Sequence, residues 1–349
     1  MEPPAPTAPS PLATMHPAYF ALVMATGIVS LAADLVGLRT VSLALFALNV
    51  PFYLALWALA LARVARHRGE VLADLLHHGR CVGFFTAVAA TCVLGSQCLL
   101  LGGAPRVALA LWILGVALWA ALTYTIIAAL TIKPTKPPLA EGINGGWLLA
   151  VVAAQAVATL GAQLAPRLAP HAPPLLFFSL AMWLGGGMLY LWIIGLIFYR
   201  YTFFPLSPSD LAPPYWINMG AAAISTLAGT ALIAAAPASP VLAQTLPFVR
   251  GFTLLWWATA TWWIPMLVIL GVWRHGYKRF PLRYDPLYWG AVFPLGMYTV
   301  CTGRLARAVD APFLAAIPRV SVYVALAAWA LALTGMIHSL VPRAKPSAR

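Results

Sequence analysis

Charged residues are scarce in this sequence, and ten long stretches contain none at all. Asp, Glu, Lys and Arg make up 8% of the 349 residues, whereas a soluble domain carries about 25%. This composition excludes a soluble fold. Charge-free apolar runs of about 18 or more residues are typical of membrane-spanning helices. The ten runs cover 3–33, 40–62, 81–105, 107–132, 142–166, 168–199, 211–249, 251–273, 286–303 and 320–342.

Acidic residues are the rarer charged group, and none lies in the middle of an apolar run. The eight acids are Glu2, Asp34, Glu70, Asp74, Glu141, Asp210, Asp285 and Asp310. A proton-driven transporter usually keeps an ionisable relay inside the bilayer, because protonation must couple there to substrate movement. The sequence therefore disfavours a proton relay built from the protein's own side chains.

Residues that would build an enzyme or cofactor site are equally sparse. The four cysteines lie within apolar runs, without the paired spacing of a metal site, and most of the seven histidines fall in loops. The sequence contains no phosphate-binding glycine loop and no catalytic triad spacing. We therefore expect no cofactor, no metal and no enzymatic activity. A membrane-embedded enzyme or cofactor protein is the least favoured alternative.

Basic residues are distributed unevenly between the loops. With the N-terminus in the cytoplasm and all ten runs crossing, the inside loops hold 14 of the 21 Lys and Arg residues. The positive-inside rule then predicts that both termini are on the cytoplasmic side of the plasma (inner) membrane. The net charge of +13 reflects this topology rather than nucleic-acid binding. Arginines in the outside loops could also draw anions to an entrance.

The pattern predicts an all-α integral membrane protein with ten transmembrane helices. A disordered tail over 1–15 precedes one ten-helix transport domain over 16–340, and a cytoplasmic tail covers 341–349. Short loops make consecutive helices antiparallel neighbours, so that ten helices form five hairpins. Segment 63–80 is either a short amphipathic helix on the inner leaflet or a solvated loop. The spans are predicted near 17–36, 41–62, 81–101, 107–131, 146–164, 175–198, 215–235, 250–273, 286–303 and 319–340.

Small and polar residues recur on the odd-numbered spans. Those that we predict to line a pore or to kink a helix include Thr26, Gly27, Thr91, Gln155, Gly220 and Ser225. The even-numbered spans are richer in Leu, Trp and Ile, and the tryptophan pairs at 256–257 and 262–263 are expected to face lipid or the interface. The pattern favours an inner ring of odd helices. Close helix packing is the simpler explanation for most such residues in membrane proteins.

The ninth run contains the sequence Phe293-Pro294-Leu295-Gly296. Proline removes a backbone donor and glycine frees the backbone, so this helix is predicted to kink near the middle of the membrane. A phenylalanine at such a point can plug a water-filled path, because a hydrophobic constriction excludes water. The alternative is a kinked packing helix with a core phenylalanine, and the motif alone favours that alternative.

Four short motifs resemble the tellurite-resistance/dicarboxylate transporter family, which includes the plant slow-type anion channels. They occur in the expected order and extend the resemblance over about 16–340. The motifs are His16-Pro17-Ala18-Tyr19-Phe20 with Met24-Ala25-Thr26-Gly27-Ile28, Gly145-Gly146-Trp147-Leu148-Leu149, Pro213-Pro214-Tyr215-Trp216-Ile217-Asn218-Met219-Gly220, and Trp289-Gly290-Ala291-Val292-Phe293-Pro294-Leu295-Gly296.

The resemblance implies five helical hairpins around a central pore, with the odd helices inside, usually as a homotrimer. Its channel members close the pore with a mid-membrane phenylalanine in the ninth helix, which corresponds to Phe293 here. Some members have a second pore phenylalanine on the third helix, and either Phe84 or Phe85 matches it. Pro294 and Gly296 are then expected at the kink of the pore wall.

Together these observations predict a multi-pass membrane protein that conducts small inorganic or organic anions and contacts lipid and no nucleic acid. A pore that binds anions weakly, through helix dipoles and hydroxyls, would release them quickly. The alternative is a carrier for C4-dicarboxylates such as malate, or for sulfite- or tellurite-type oxyanions. Such a carrier needs no protonatable side chain if the substrate itself carries the proton.

Overall fold

The computed structural model describes residues 10–168 and 170–340, which form helices joined by short connections, without a strand among them. The C-terminal tail expected over 341–349 lies outside the described residues, as does the expected N-terminal tail up to residue 9. Ten long helices lie within the described part. They are α1 (Pro17–Leu35), α2 (Arg39–Arg66), α3 (Cys81–Leu100), α4 (Pro105–Ile132), α5 (Gly145–Arg167), α6 (Ala172–Phe203), α7 (Pro213–Ala238), α8 (Leu246–Tyr277), α9 (Trp289–Ala308) and α10 (Pro312–Leu340).

Nine of these helices, within the residues that the structure describes, are long and apolar enough to cross a membrane. The exception is α9, which is 20 residues long but contains Arg304 and Arg307 together with three glycines and two threonines. The protein is therefore an all-helical membrane protein. Most helix ends fall within a few residues of the predicted positions. The start of α10 differs most from its predicted position near residue 319. The helix begins at Pro312 and includes Arg319, whose charge was expected to mark the beginning of the span.

The five odd-numbered helices form a closed ring of contacts, in the order α1, α3, α5, α7, α9 and back to α1. Each even-numbered helix packs on the outside against the odd helix that precedes it. In the most apolar stretch of α1, α3, α5 and α7, 83–94% of the residues are buried, against 17–44% in the even helices. Most residues of α9 are also buried. The small residues of the odd helices permit this close approach of their backbones.

A 3₁₀ turn begins or immediately precedes each odd helix. These turns are Pro17–Phe20, Cys81–Phe84, Gly145–Leu148, Pro213–Trp216 and Pro286–Tyr288. Proline suits the first helical position because its missing N–H has no partner there anyway. Three of the turns are capped by side chains of His16, Asn144 and Asp285, each of which accepts a bond from a backbone N–H two residues on. The five turns touch one another in the same closed order as the helices, so the closed ring of contacts extends to its N-terminal end.

The segment between α2 and α3 contains a helix over Arg68–Leu75, in favour of the helical alternative for 63–80. Its Asp74 carboxylate is nearly buried and accepts hydrogen bonds from Arg63 at 2.7 Å and from Arg80. Burial alone would raise the pKa of Asp74, but the hydrogen bonds and charges of Arg80 and Arg63 hold it below its usual value. This ion cluster ties the end of α2 to the start of α3.

The outer helices carry the exposed apolar surface that a bilayer requires, as at Leu54, Ile113, Trp192, Ile269 and Leu331. The expectation for the two tryptophan pairs of α8 was wrong for two of the four residues. Trp256 and Trp263 are buried, at 1% and 3% exposure, whereas Trp262 is 60% exposed. A helix turns 100° per residue, and Trp256 and Trp263 lie seven residues apart, on the side of α8 that is buried in the protein.

Candidate functional site

A cavity of about 430 Å³ opens at the N-terminal end of the ring, and we call it the N-terminal cavity. Every odd helix contributes to its wall at or just before its first turn, through Ala18, Gly83, Gly146, Tyr215 and Leu287 among others. The N-terminus of a helix carries a partial positive charge and unpaired N–H groups. Five such ends around one cavity create an environment that favours anions over cations.

Side chains give the N-terminal cavity no net positive charge. Arg200 is buried, donates to the carbonyl oxygen of Ala140 at 2.8 Å and pairs with Asp210 at 3.2 Å. Glu141 also lines the wall. His16 also lines this cavity. Burial, followed by the charge of Arg80, lowers the pKa of His16 to about 4, so its imidazole is neutral at pH 7. The attraction for anions at this end therefore rests on the helix N-termini.

A smaller cavity of about 30 Å³ lies toward the other end of the ring, and we call it the C-terminal cavity. All five odd helices line it, and its polar members are Asp34, Ser96, Thr159, Gln163 and Arg304. The Ser96 hydroxyl donates to the Gln163 amide oxygen at 2.8 Å. A neighbouring cavity of about 190 Å³ shares Gln163 and Arg304 and extends along the C-terminal ends of α5 and α7.

Buried apolar residues occupy the stretches of the odd helices that lie between the residues lining these two cavities. Phe293 is 0% exposed and precedes, by one and two helical turns, the Met297 and Val300 that line the C-terminal cavity. Phe85 and Val152 occupy the corresponding stretches of α3 and α5 and are also buried. These three side chains offer no hydrogen bond to a water molecule.

Pro294 lies within one continuous helix, α9, and contributes to helix packing beside Phe293. A Cβ added at Gly220 of α7 would stand 2.6 Å from the Pro294 Cγ, so the two helices meet where only glycine leaves room. Gly296 lets α1 approach α9 equally closely, since a Cβ added there would lie 3.0 Å from the Ile28 Cγ2. Gly27 faces α3 in the same way, against Val93. These residues set the spacing between the ring helices.

Three polar residues predicted to line the pore bond instead to the outer helices. Thr26 accepts from Trp329 of α10, Thr91 is bonded to Tyr53 of α2, and Gln155 donates to the Trp183 carbonyl of α6. The fourth, Ser225, donates to Ala221 of its own helix. None of the four lines the N-terminal or the C-terminal cavity. A hydroxyl or amide in an apolar interior needs a partner, and here the neighbouring backbone or outer helix supplies it.

The two candidate phenylalanines of α3 lie in different environments. Phe84 lines a crevice of about 200 Å³ outside the ring, together with Trp57 and Leu122. Phe85 is 2% exposed and lies between the N-terminal cavity residue Val82 and the C-terminal cavity residue Cys92.

The polar residues of the C-terminal cavity were not selected from the sequence. Ser96, Thr159, Gln163 and Arg304 belong to stretches whose cavity residues recur at helical spacing, as in 156–159–163 and 297–300–304. That spacing marks one face of each helix and is readable from the sequence. Without the neighbouring helices, however, nothing shows which face points to the axis.

Comparison with known proteins agrees with this architecture. The SLAC1 family, described as voltage-dependent anion channel, matches residues 14–337. An uncharacterized membrane protein of Mycobacterium tuberculosis is 41% identical over 152 residues, which cover 44% of this chain and 77% of that protein. An uncharacterized transporter of Methanocaldococcus jannaschii is 27% identical over 81% of both chains.

A sulfite efflux pump of Trichophyton rubrum is 25% identical over 86% of this chain and 84% of that protein. The family match covers nearly the whole chain and includes all ten long helices except for the last residues of α10. On this evidence the chain belongs to the SLAC1 family, the tellurite-resistance/dicarboxylate transporter family that its motifs resemble.

Proposed function

We propose that this protein conducts small anions through a pore along the axis of the ring, closed at its narrowest part by Phe293. All ten long helices cross the membrane as five hairpins, and the odd helices form the pore wall. The observation that carries the proposal is the closed five-helix ring, with a polar cavity at each end and a buried phenylalanine between them. Phe85 contributes to the same constriction.

The N-terminal cavity faces the cytoplasm in this proposal, and both chain termini lie on that side. The uneven distribution of Lys and Arg supports the orientation. Anions enter from the cytoplasm along five helix N-termini, pass the phenylalanine and leave through the C-terminal cavity. Dipoles hold an anion loosely, which permits the fast exit that conduction requires.

The path offers no carboxylate near the constriction among the described residues that line the two cavities. Asp34 lies at the far end and is paired with Arg39 at 2.6 Å. A buried carboxylate would repel anions, so its absence from the narrow part is compatible with anion passage. It also leaves no side chain there to carry a proton along with the substrate.

The test is anion flux in liposomes that contain Phe293→Ala protein. We expect chloride or nitrate flux to rise at least about tenfold, which corresponds to lowering the barrier by about 1.4 kcal/mol. Phe177→Ala is the matched control, because Phe177 lies on α6 and is 60% exposed. It should leave flux unchanged.

Loss of a buried phenylalanine also costs about 3–5 kcal/mol of stability, so folding must be checked by size-exclusion profile and helix content. Phe293→Leu keeps apolar bulk and is expected to give intermediate flux. Unchanged flux in folded Phe293→Ala protein would contradict the gate.

The second candidate function is a carrier for sulfite, tellurite-type oxyanions or C4-dicarboxylates, in which the substrate carries the proton. The support is the similarity to sulfite efflux pumps over more than four fifths of the chain. A carrier should show sulfite or malate uptake that saturates at low concentration and follows an imposed pH gradient. Flux that saturates only at high concentration and ignores the pH gradient would favour the channel.

We also propose a homotrimer in the plasma (inner) membrane, in contact with lipid, from the family resemblance. Native mass spectrometry of the protein in lipid nanodiscs tests the oligomeric state. A mass of one or two chains would contradict the trimer.

A further inference from the structure

We propose that Arg304 and Gln163 form a binding subsite for small oxyanions at the C-terminal end of the ring. The inference rests on the proposed anion pathway and adds to it a place where an anion pauses before exit. The ligand class is an anion with two or more oxygen acceptors, such as sulfite or a carboxylate, rather than a halide.

Arg304 is the first component of this subsite. It lines both the C-terminal cavity and the neighbouring cavity of about 190 Å³, and it is exposed to solvent there. No carboxylate among the described residues lies within ion-pair distance of its guanidinium, and no described residue accepts a hydrogen bond from it. Asp34 lines the same cavity, but its carboxylate pairs with Arg39 at 2.6 Å. The charge of Arg304 is therefore available to a mobile anion.

Gln163 is the second component. Its amide oxygen accepts from the Ser96 hydroxyl at 2.8 Å, which holds the oxygen toward α3 and leaves the amide NH₂ with no acceptor among the described residues. Gln163 lines the same two cavities as Arg304. Gln163 of α5 and Arg304 of α9 thus line the same space, from opposite sides of α7.

The geometry favours oxyanions because a guanidinium presents parallel N–H donors that match two oxygens of one ligand. A halide accepts hydrogen bonds at a single centre, so it gains less binding energy from the paired N–H donors of the guanidinium. The site is open to solvent, so its affinity is modest and an anion leaves it readily. Weak binding at a mouth raises the local anion concentration without blocking flow.

The experiment compares Arg304→Gln with Arg307→Gln, a matched control one turn along α9 that is exposed and lines neither cavity. Protein is reconstituted in one orientation, and sulfite flux is measured against sulfite concentration on the side of the C-terminal cavity. We expect Arg304→Gln to raise the half-saturating sulfite concentration about tenfold, as for loss of a charged hydrogen bond. Arg307→Gln should stay within about twofold, and the shift for chloride should be smaller than that for sulfite.

Gln163→Glu is the second variant, because a carboxylate there pairs with Arg304 and occupies the site. It should raise the half-saturating sulfite concentration as Arg304→Gln does. Equal effects of Arg304→Gln and Arg307→Gln would overturn the subsite. So would an equal shift for chloride and sulfite, since that reports steering by charge alone.

Sulfite-dependent thermal stabilisation of the purified protein separates this inference from the proposed function. If the wild-type protein carries no anion at all, the proposed function fails. The subsite is then still tested, because stabilisation by sulfite must be present in the wild type and absent in Arg304→Gln. Wild-type protein that sulfite does not stabilise would overturn it.

Discussion

Replacement of Gly220 by alanine tests the close contact between α7 and α9 beside the proposed gate. The new methyl carbon would lie 2.6 Å from the Pro294 Cγ and 3.0 Å from its Cβ, whereas ordinary contacts begin at 3.4 Å. The proline ring is fixed to the backbone of α9 and cannot rotate away, so the two helices must separate. Such overpacking costs about 1–3 kcal/mol.

The matched control is Gly195→Ala on α6, where an added Cβ meets nothing within 4 Å. Alanine is favoured over glycine inside a helix by about 1 kcal/mol, and this gain applies to both variants. The control should therefore be as stable as the wild type or more stable. Gly220→Ala should lie below the control by the full overpacking cost.

Thermal unfolding in detergent measures the difference, with an expected gap in Tm of about 1–4 °C between the two variants. Pro294→Ala removes the ring atom that the methyl would strike, so the double variant should lose less than the sum of the two single changes. Equal Tm values for Gly220→Ala and Gly195→Ala would refute the contact. Strict additivity in the double variant would show that the cost arises elsewhere.

Two further predictions concern the N-terminal end of the ring. Asp74→Asn leaves the buried Arg63 without its counter-charge and should cost about 3–5 kcal/mol of stability, whereas Glu70→Gln at an exposed position should be neutral. The stability that the ionised Asp74 carboxylate contributes to the wild type is present at neutral pH and is lost as the pH falls through its lowered pKa. Asp74→Asn protein should not show this loss. For His16, the unfolded state takes up a proton near pH 6.5 but the folded state only near 4, so stability falls as pH drops through that window. His16→Asn keeps the helix cap without titrating and should flatten the Tm profile there, and an unchanged profile would contradict the lowered pKa of His16.

Much of the fold was predictable because the relevant signals are local. Charge-free runs determine where a chain can cross a bilayer, and the observed helices follow those runs closely. Small and polar residues predicted which helices lie inside, because backbones can approach closely only where side chains are small. The prediction that Phe293 is a pore gate rests on the resemblance to a family. The ninth run alone does not support it, because proline and a core phenylalanine are common in membrane helices.

The polar residues were harder to assign. Thr26 and Gln155 lie on inner helices, as the sequence suggested, yet their side chains bond to α10 and α6. A hydroxyl-bearing residue indicates only that a partner is near, and the partner of Thr26 is a tryptophan that lies 303 positions away in the chain. Gln163 and Arg304 lie on α5 and α9, 141 positions apart in the chain, and no local pattern joins them.

The sequence by itself determined that this protein lies in a membrane and how many apolar runs it has. It also determined which helices have side chains small enough to pack inside. These properties follow from composition along short stretches of chain, where the bilayer sets the rule. Only the tertiary structure decided which face of each helix points to the axis. That choice arises from the ring closing on itself, because a buried polar group such as Thr26 must find a partner within its own helix or on a helix packed against it. The same closure buries Phe293 and leaves Arg304 lining a cavity with no carboxylate partner among the described residues.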